Sequence, residues 1–493
     1  MSLYLNDFVI LMLYILALEL VAFGFLFIIK QLKIILKVSK DKNGSIADGI
    51  RFVISLIAAK FVYAAIKLLS KSAGTSFVGM VVLKICPNFL RYCKNYVCEA
   101  ITVTGTNGKT TTSGILAHIL DKNSGNVIHN LKGANMLTGI ANAFALNLKP
   151  PKIFEYAVIE SDEAYLTKLY DYYMADYLVV TNLFRDQLDR YGELSTTASF
   201  IQNAIDKNKE LTLILNSDDP LVANFGKDRD AIYYGFEDVE FISDKHNSYS
   251  LAPSEVFNCV CGQELKYDKQ FFAQEGHYYC EKCSYKRPEP NIKAYAKVYD
   301  NYTDLNIAFE NNNYEFRINL VGLYNAYNAL GAISAAIVNE IPYKKIKEAV
   351  ESYTSIFGRT ERRVINGHNT LIQLIKNPTG ASEVLKTVDL NSNIIVAIND
   401  NYADGRDISW LWDSDFERLK DAKKLVIASG IRAKDMAVRL KYAGIPQEKI
   451  IVEENIKRAI ELASTTENNQ ENITILPSYT ALLEITKMKF KEK

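Results

Sequence analysis

One short segment, residues 101–113 with the sequence ITVTGTNGKTTTS, most constrains what this chain can fold into. An apolar run leads into Gly105 and Gly108, and Lys109 and three threonines follow. That order is typical of a strand, a tight turn and a helix start, where backbone N–H groups and a lysine surround a polyphosphate. A standard phosphate loop has one more glycine, at the position of Val103. The segment therefore predicts a shortened phosphate loop, with a plain surface turn as the alternative.

The same region offers ligands for a magnesium ion. Thr110 supplies a hydroxyl, the strand EYAVIE ends at Glu160, and Asp162 follows two residues later. Open α/β sheets bind ligands at the carboxyl ends of their strands, and Mg²⁺ prefers oxygen donors of this kind. We expect Thr110 and Glu160 to hold Mg²⁺ and Lys109 to act with Glu160 in catalysis. The residues expected to contact the phosphates are Gly105, Thr106, Asn107, Gly108, Lys109, Thr110 and Thr111.

From Ala100 onward, predicted strands and helices alternate along the chain. The strands ITVTG, EYAVIE and YLVVTN are followed by predicted helices at 110–122, 163–170 and 195–207. This order predicts an α/β fold with a mainly parallel sheet and helices on both faces. A β-rich insertion occupies 241–320, and a helix at 324–339 follows it. A second, smaller, Rossmann-like α/β alternation begins near Gly358.

Length and charge limit the possible functions. A chain of 493 residues is too long for one hydrophobic core, which predicts several domains. Lys and Arg together number 57, as do Asp and Glu, which argues against nucleic acid as the main partner. We expect a transmembrane anchor with its basic flank, a linker with amphipathic helices, a nucleotide-binding middle domain and a C-terminal domain, at 1–37, 38–99, 100–357 and 358–493.

The segment from Phe8 to Ile29 is apolar except for Glu19. As a helix at about 1.5 Å per residue it is long enough to cross a bilayer. A signal peptide carries its basic residues before the apolar run, whereas here Asp7 precedes it and lysines follow, namely Lys30, Lys33, Lys37, Lys40 and Lys42. We predict a single-pass anchor with the body on the cytoplasmic side of the cell membrane. The alternative is a helix buried in the globular part.

Two segments lie between this anchor and the α/β region. Residues 38–49 are polar and contain glycines, which predicts a linker. The segment Ile50 to Ser70 has Lys60 and Lys67 among apolar residues, which predicts an amphipathic helix. A second membrane span is the less favoured interpretation, because Lys60 interrupts the apolar run.

Four cysteines form two close pairs, Cys259 with Cys261 and Cys280 with Cys283. Four thiolates at this spacing suit a tetrahedral structural Zn²⁺ in a ribbon at about residues 255–290. The first pair is C-x-C rather than the usual C-x₂-C, so a metal-free loop or a disulfide is the alternative. Nothing in the pattern indicates an open coordination position, so we assign the metal to folding.

Several blocks resemble the Mur ligase superfamily, namely TGTNGKTT, LVGLYNAYNALGAISAA and FGRTERR. The members are ATP-dependent ligases that phosphorylate a carboxylate to an acyl phosphate, which an amine then attacks. The resemblance implies that Asn325 and Asn328 approach the adenine and that Arg359 meets the nucleotide phosphates. It also implies that Glu160 is the metal carboxylate.

Further blocks are similar to one branch, the MurT family of ligase-like subunits of lipid II isoglutaminyl synthase. These blocks are TNLFRDQLDRYGE, LIKNPTGASEVL and NDNYADGRDISWLWD, together with the four-cysteine insert. The resemblance implies ATP-dependent amidation of the D-Glu α-carboxylate of lipid II, with ammonia from a glutaminase subunit, GatD, in a heterodimer. An aspartate of the third block is implied to orient the Cys–His pair of that subunit. Asp400 is our first choice, then Asp404, with Asp407 also present, and a solvated loop is the alternative.

The chain itself lacks a recognisable glutaminase site. It has five scattered histidines and no cysteine in a nucleophile turn, so ammonia must come from solution or from another subunit. Two other functions stay open. One is an amino-acid-adding Mur ligase acting on a UDP-MurNAc peptide, although KNPTG stands where the signature for the amino acid is expected. The other is a non-catalytic ATP-binding membrane scaffold.

The remaining chemically distinctive residues receive structural interpretations. Trp410 and Trp412, the only tryptophans, are expected in the core, with a buried interface as the alternative. We expect His118 and His129 to be structural. The cysteines outside the two pairs are expected to be small buried hydrophobic residues, namely Cys86, Cys93 and Cys98.

Overall fold

The computed structural model describes residues 25–69, 76–131, 133–184, 194–242, 258–259, 261–354, 359–465, 472–488 and 490, without the side chains of Leu69, Arg359 and Thr360. Most of the predicted anchor, from Phe8 to position 24 and including Glu19, therefore lies outside the described residues. The chain forms two compact units. The first comprises residues 1–100, 126–159 and 168–174, and the second comprises residues 101–125, 160–167 and 175–493.

The first unit is mainly helical. Its helices are α1 (25–39), α2 (Ile46–Leu69), α3 (Phe77–Ile85), α4 (Phe89–Cys93) and α6 (Leu137–Asn147). Two strands, β2 (Val127–His129) and β3 (Phe154–Glu160), pair in parallel. Its core contains Phe52 of α2, whose ring stacks on Phe89 at a centroid distance of 5.1 Å and on Tyr96 at 6.0 Å. These contacts fix one face of α2 to the unit.

The structure corrects two sequence predictions in this unit. The predicted linker 38–49 is too long, because α1 reaches residue 39 and α2 begins at Ile46. Cys98 is exposed rather than buried, whereas Cys86 and Cys93 are buried as expected. Burial raises the pKa of the Cys86 thiol to about 12, which keeps it protonated. Among the described residues, one helix, Ile46–Leu68, is long and apolar enough to cross a membrane.

The second unit begins with a mainly parallel sheet. Its strands are β1 (Val97–Thr104), β4 (Tyr177–Val180), β5 (Thr212–Asn216), β6 (Ala231–Phe241), β9 (Ile292–Val298), β10 (Thr303–Phe309) and β11 (Asn312–Ile318). They lie in the order β11-β10-β9-β6-β5-β4-β1. All neighbours pair in parallel from β1 to β9, and β9, β10 and β11 form an antiparallel edge. The predicted α/β alternation is confirmed.

Helices connect these strands. They are α5 (Lys109–Ser124), α7 (Glu163–Leu169), α8 (Leu194–Lys207), α9 (Pro220–Asn224), α10 (Leu323–Val338) and α11 (Tyr343–Ser352). Helix α10 is the most buried of them and packs against α5. A hairpin of β7 (Lys266–Phe272) and β8 (Glu275–Tyr279) forms the inserted ribbon. The insert thus interrupts the chain between β6 and β9, which are neighbours in the sheet.

A second sheet follows in the same unit. Its strands are β12 (Arg359–Ile365), β13 (His368–Gln373), β14 (Asn393–Ala397), β15 (Val426–Ser429), β16 (Ile450–Glu453) and β17 (Ile473–Pro477), in the order β12-β13-β17-β14-β15-β16. All pairs are parallel except β12 with β13. Helices α12 (Pro378–Lys386), α13 (Ala433–Tyr442), α14 (Ile456–Ala463) and α15 (Tyr479–Lys487) accompany them. Short 3₁₀ turns lie at Lys94–Tyr96, Ser409–Leu411, Phe416–Asp421 and Gln447–Lys449.

Candidate functional site

Two glycines shape the turn between β1 and α5. Gly105 has φ of 125° and Gly108 has φ of 85°, both in the region that side chains rarely adopt. A Cβ at Gly108 would lie 1.9 Å from Oδ1 of Asn328, and a Cβ at Gly105 would lie 2.3 Å from Oγ1 of Thr181. Larger residues therefore do not fit at either position, and the turn brings the start of α5 against α10.

Two residues that follow β4, the strand beside β1, hold the turn in place. The backbone N–H groups of Thr106 and Asn107 donate to Asn182, at its main-chain oxygen (2.9 Å) and at its side-chain Oδ1 (2.8 Å). Oγ1 of Thr181 donates to the carbonyl of Asn107 at 2.7 Å. The block YLVVTN thus supplies two residues that order the turn, which the sequence analysis assigned only to a strand.

Lys109 is buried and makes an ion pair. Its Nζ lies 3.1 Å and 3.2 Å from the two carboxylate oxygens of Glu163, and it donates to the carbonyl of Gly105 at 2.6 Å. Burial raises the pKa of Glu163, and the charge of Lys109 opposes that rise. Glu163 was not among the predicted site residues, although it lies in the same segment, ESDEA, as Glu160 and Asp162. The lysine is therefore held beside the turn by a carboxylate.

The residues expected to hold Mg²⁺ are buried beside the turn. Oγ1 of Thr110 is buried and has no hydrogen-bond partner among the residues that the structure describes. Glu160 is the last residue of β3, and Asp162 follows it, both buried. A hydroxyl in need of a ligand and two carboxylates form a donor set that fits Mg²⁺.

An open cleft of about 630 Å³ adjoins the turn. Asn325 and Asn328 of α10 line it, and Nδ2 of Asn328 donates to Oδ1 of Asn325 at 3.3 Å. The other lining residues are Asn107, Gly108, Thr111, Phe272, Tyr324, Gln373, Leu374, Lys376, Gly380, Glu383 and Val384. Residues of the turn, α5, β7, α10, β13 and α12 thus line one cleft.

The segment KNPTG contacts the turn directly. Nζ of Lys376 donates to the carbonyl of Thr106 at 3.2 Å, and Nδ2 of Asn377 donates to Oδ1 of Asn107 at 3.0 Å. Oδ1 of Asn377 also accepts the N–H of Gly380 at 2.9 Å, which caps the start of α12. No sequence pattern indicated that this block contacts the turn. Arg359, also predicted here, begins β12, but its side chain lies outside the described residues.

The ribbon hairpin supplies a wall of the cleft. The ring of Phe272 packs against Phe184 at a centroid distance of 5.3 Å and against Tyr327 at 6.2 Å. At the hairpin tip, Nε2 of Gln274 donates to the carbonyl of Leu183 at 2.8 Å. Next to it, Oε1 of Glu275 accepts from Asn216 at 2.9 Å. Burial, reinforced by two neighbouring aspartates, raises the pKa of Glu275 well above its usual value.

The four ribbon cysteines form one cluster. Their Sγ atoms all lie within 4.8 Å of one another. The closest contacts are 3.4 Å, between Cys259 and Cys283, and 3.5 Å, between Cys261 and Cys280. Tetrahedral zinc with Zn–S bonds of about 2.3 Å places sulfurs about 3.8 Å apart. The geometry therefore fits a closed four-thiolate site, including the C-x-C pair.

Comparisons with known proteins agree with this arrangement. Residues 103–267 match the Mur ligase middle domain, and residues 374–482 match the MurT ligase C-terminal domain. The MurT subunit of lipid II isoglutaminyl synthase from Streptococcus pneumoniae is 37% identical over 423 residues, which cover 84% of this chain and 92% of that protein. The chain belongs to the MurT family.

A second MurT subunit, from Staphylococcus aureus, is 35% identical over 416 residues, covering 83% of this chain and 91% of that protein. Among solved structures, a pseudomurein peptide ligase type C from Methanothermus fervidus matches with a TM-score of 0.60 at 24% identity, over 79% of each chain. That likeness shows a shared fold. The turn 105–108 lies in the Mur ligase middle-domain match, and KNPTG lies in the MurT C-terminal match.

The acidic loop after β14 also lies in the MurT C-terminal match. Oδ2 of Asp400 pairs with Arg432 at 2.7 Å. Asp404 has more hydrogen-bond partners. Its carboxylate accepts the backbone N–H of Thr480 at 2.7 Å and the backbone N–H of Asn401 at 3.1 Å. Asp407 accepts the N–H of Ser409 at 2.8 Å. The adjoining Tyr402 is 88% exposed, whereas Asp400 and Asp404 are buried, so the loop has an exposed tip over a buried acidic base.

The other distinctive residues of the chain divide between core and surface. Trp410 is 8% exposed and packs in the C-terminal core, whereas Trp412 is 54% exposed beside Tyr442. His118 contacts Oγ of Ser352 at 3.2 Å, and burial lowers its pKa. Burial also lowers the pKa of His129 to about 4. Both histidines therefore stay neutral at physiological pH, in agreement with a structural role.

Proposed function

We propose that this chain catalyses ATP-dependent amidation of the α-carboxylate of D-Glu in the stem peptide of lipid II, giving D-isoglutamine. The observation that carries the proposal is the direct contact between Thr106 and Asn107 of the turn and Lys376 and Asn377 of the MurT C-terminal segment. In this account the middle domain binds the nucleotide and the C-terminal segment presents the carboxylate. The relatives named as subunits of lipid II isoglutaminyl synthase support the choice of substrate.

The reaction has two steps. An oxygen of the α-carboxylate attacks the γ-phosphorus of ATP and ADP leaves, which yields an acyl phosphate. The nitrogen of ammonia then attacks the acyl carbon, phosphate leaves with the former carboxylate oxygen, and the amide nitrogen loses a proton. A mixed anhydride is needed because a free carboxylate has no adequate leaving group. The enzyme is thus a carbon–nitrogen ligase.

The chain's own residues divide the work of the first step. Lys109 moves from Glu163 to the phosphate oxygens and offsets their charge, and Glu163 takes up a proton more readily because burial already raises its pKa. Lys376, whose charge also acts on Glu163, adds a second cation at the turn. The backbone N–H groups of 105–111 act as the phosphate loop, and Arg359 approaches the phosphates from β12. Asn325 and Asn328 face the adenine side of the cleft.

Two metals complete the proposal. Thr110 and Glu160 would hold Mg²⁺, with Asp162 beside them. When bound, this ion would offset the negative charge of the phosphates. Cys259, Cys261, Cys280 and Cys283 would hold Zn²⁺, which stabilises the ribbon and supplies no chemistry.

Nitrogen comes from a partner in this account. A GatD-type glutaminase subunit in a heterodimer would release ammonia, and Asp400 would orient the Cys–His pair of that subunit. Asp400 is preferred to Asp404 because, although its side chain is buried, it pairs with the partly exposed side chain of Arg432, whereas Asp404 is already held by Thr480. Arg432 would then position Asp400 until the partner binds.

The location and domain boundaries are part of the same proposal. An N-terminal single-pass anchor would keep the body on the cytoplasmic side of the membrane, where lipid II presents its head group. The middle domain would span 100–357, with the ribbon at about 255–290, and a Rossmann-like C-terminal domain would span 358–493. The anchor segment would occupy 1–37, and 38–99 would connect it to the middle domain.

The test is an assay with purified chain, lipid II, ATP, Mg²⁺ and ammonium, read by mass spectrometry of the stem peptide. The proposal predicts that one hydroxyl is replaced by an amino group only when ATP is present. A mass gain of one amino-acid residue, with UDP-MurNAc peptide and free amino acids in parallel, would instead show an amino-acid-adding Mur ligase. ATP binding without either product would leave a non-catalytic scaffold.

A further inference from the structure

The first unit exposes an unusual amount of apolar surface on its first helices. Along α2, large apolar residues are exposed at Ile46, Ile50, Ile54, Ile57, Phe61 and Leu68. Their spacing of three, four or seven residues places them on one face of the helix. Soluble proteins rarely expose contiguous apolar surface of this extent, and such surfaces mark contact with a membrane or another protein.

The opposite face of α2 is committed to the unit. Phe52, Val53, Leu56 and Ala59 are buried, and Phe52 stacks on Phe89 and Tyr96. Lipid therefore cannot surround α2 along its length. This argues against α2 as a second membrane span, despite the length and composition of the helix.

Beyond Ala59 the helix leaves the unit. Phe61 is 73% exposed and Leu68 is 86% exposed, and residues between them are exposed on several sides of the helix. The start of α1 behaves in the same way, since four successive residues are exposed, namely Phe25, Leu26, Phe27 and Ile28. Both helix ends are thus apolar and stand clear of the core.

The two ends point to the same side. Helices α1 and α2 are joined by the short turn 40–45, and a Cβ at Gly49 would lie 2.6 Å from the carbonyl oxygen of Ile35. This contact packs α1 against α2 beside the turn, and we infer from it that the two helices form an antiparallel hairpin. At about 1.5 Å per residue, position 25 lies about 15 Å and Phe61 about 18 Å beyond this contact. The apolar ends therefore reach similar heights.

The charges around these ends have one sign. Residues 25–40 and 49–69 contain no Asp or Glu, and their charged residues are Lys30, Lys33, Lys37, Lys40, Arg51, Lys60 and Lys67. Lys37 is tied to the unit through the carbonyl of Asn95 at 2.6 Å, whereas Lys30, Lys33, Lys60 and Lys67 are exposed on the helices. An apolar face flanked by lysines is typical of helices that lie in the interface of an anionic membrane.

We propose that the α1–α2 hairpin is a bilayer-contacting element. The ends at residues 25–28 and 61–68 enter the boundary between head groups and acyl chains, and the exposed lysines bind anionic head groups. The apolar segment from Phe8, which precedes α1 in the sequence, favours a bilayer over a second copy of the chain as the occupant. This contact would hold the unit against the membrane at α2, in addition to any anchor at 1–37, and it does not depend on the proposed amidation.

Tryptophan fluorescence in nanodiscs tests this contact. Full-length Phe61→Trp is reconstituted in phosphatidylethanolamine and phosphatidylglycerol, and the wild-type emission of Trp410 and Trp412 is subtracted. The matched control is Tyr402→Trp, another highly exposed position, in the C-terminal domain. We expect the added emission at position 61 to be blue-shifted and mostly lost with lipids brominated near the head group. The control should keep its emission.

Each other result overturns the proposal. A red-shifted, unquenched signal at position 61 would show that the hairpin faces water. A blue-shifted but unquenched signal would show a protein cover, such as a second copy. Strongest quenching by bromine near the bilayer centre would show that α2 spans the membrane. As a charge test, Lys60→Glu with Lys67→Glu should reduce the quenching of Phe61→Trp, and unchanged quenching would remove the lysines from the proposal.

Discussion

Two loops of the second unit leave the carboxyl ends of parallel strands, yet they differ in what they offer. The turn 105–108 after β1 is enclosed, and Thr181, Asn182 and Asn377 hold it by hydrogen bonds. The loop at 399–407 after β14 has Tyr402 almost fully exposed at the surface, whereas Asp400 is itself buried and pairs with the partly exposed Arg432. Loops at equivalent positions of two α/β sheets thus line a cleft in one case and reach the protein surface in the other.

The difference separates two requirements of amidation. Activation of a carboxylate by ATP needs charge held in a water-poor cleft, where electrostatic interactions are strong. Delivery of ammonia needs contact with a second protein, which requires exposed residues. On the proposed account the first loop is complete within this chain, whereas the second is completed by the partner. Substitutions in the two loops should therefore have different signatures.

The largest effect is expected from Lys109→Ala. The variant lacks the cation that meets the phosphates, so turnover should fall by at least about 1,000-fold with either ammonium or glutamine as nitrogen source. Steady-state rates measured with both sources check this. A loss with glutamine alone would contradict the assignment of the turn to ATP chemistry.

The control for this variant is Glu163→Gln. It keeps Lys109 and removes the carboxylate that competes with phosphate, so it should retain turnover and bind ATP at least as tightly as the wild-type chain. Thermal unfolding of both variants shows whether either loses its fold. Inactive Glu163→Gln with normal ATP binding would show that Glu163 has a direct role in the reaction.

The second effect should be confined to the partner loop. Asp400→Ala should reduce the glutamine-driven rate of the heterodimer on the order of 100-fold, as expected for loss of a group that orients a general base. The ammonium-driven rate should stay unchanged. Asp407→Ala is the matched control, because Asp407 caps Ser409 on the same loop. An equal loss with ammonium would place Asp400 in the ligase chemistry instead.

A third, intermediate effect is expected from metal removal. A strong chelator should release the metal from the four cysteines, lower the midpoint of thermal unfolding and raise the Kd for ATP, because the hairpin that carries Phe272 loses its support. Metal analysis, calorimetry and nucleotide titration measure the three changes. An unchanged Kd for ATP after full metal loss would show that the hairpin tip folds independently of the cluster.

The smallest effect is expected from Phe272→Leu. Loss of the aromatic wall should raise the Kd for ATP about 3- to 10-fold, the range of one aromatic contact. Phe271→Leu is the matched control, since Phe271 points to the other side of β7 and packs on His277. Isothermal titration compares the two. Equal Kd values would remove Phe272 from the nucleotide site.

The local features of the site could be predicted from the sequence better than the long-range contacts between its residues. The glycines, Lys109 and the alternation of strands follow from short-range rules of turn geometry and periodicity, so both the turn and the parallel sheet could be predicted. The contact of Lys376 with Thr106 joins residues 270 positions apart, and no local pattern encodes such a distance. Glu163 was missed for a different reason, because only burial makes it the counter-ion of Lys109.

The helical unit shows the same limit. The amphipathic helix was predicted near its true position, from Ile46 instead of Ile50, because its period is visible in the sequence. Which face is buried depends on Phe89 and Tyr96, which lie outside the helix. Likewise Trp410 and Trp412 are two residues apart, and only the fold shows that one is in the core and the other on the surface.

Isotope transfer tests the central claim most directly. Lipid II whose D-Glu α-carboxylate carries a heavy isotope at both oxygens is incubated with the chain, ATP, Mg²⁺ and ammonium, and the released phosphate is analysed by mass spectrometry. Because the carboxylate oxygen leaves with phosphate when ammonia attacks an acyl phosphate, the account predicts one labelled oxygen in each phosphate released. Amide formation with unlabelled phosphate would contradict it.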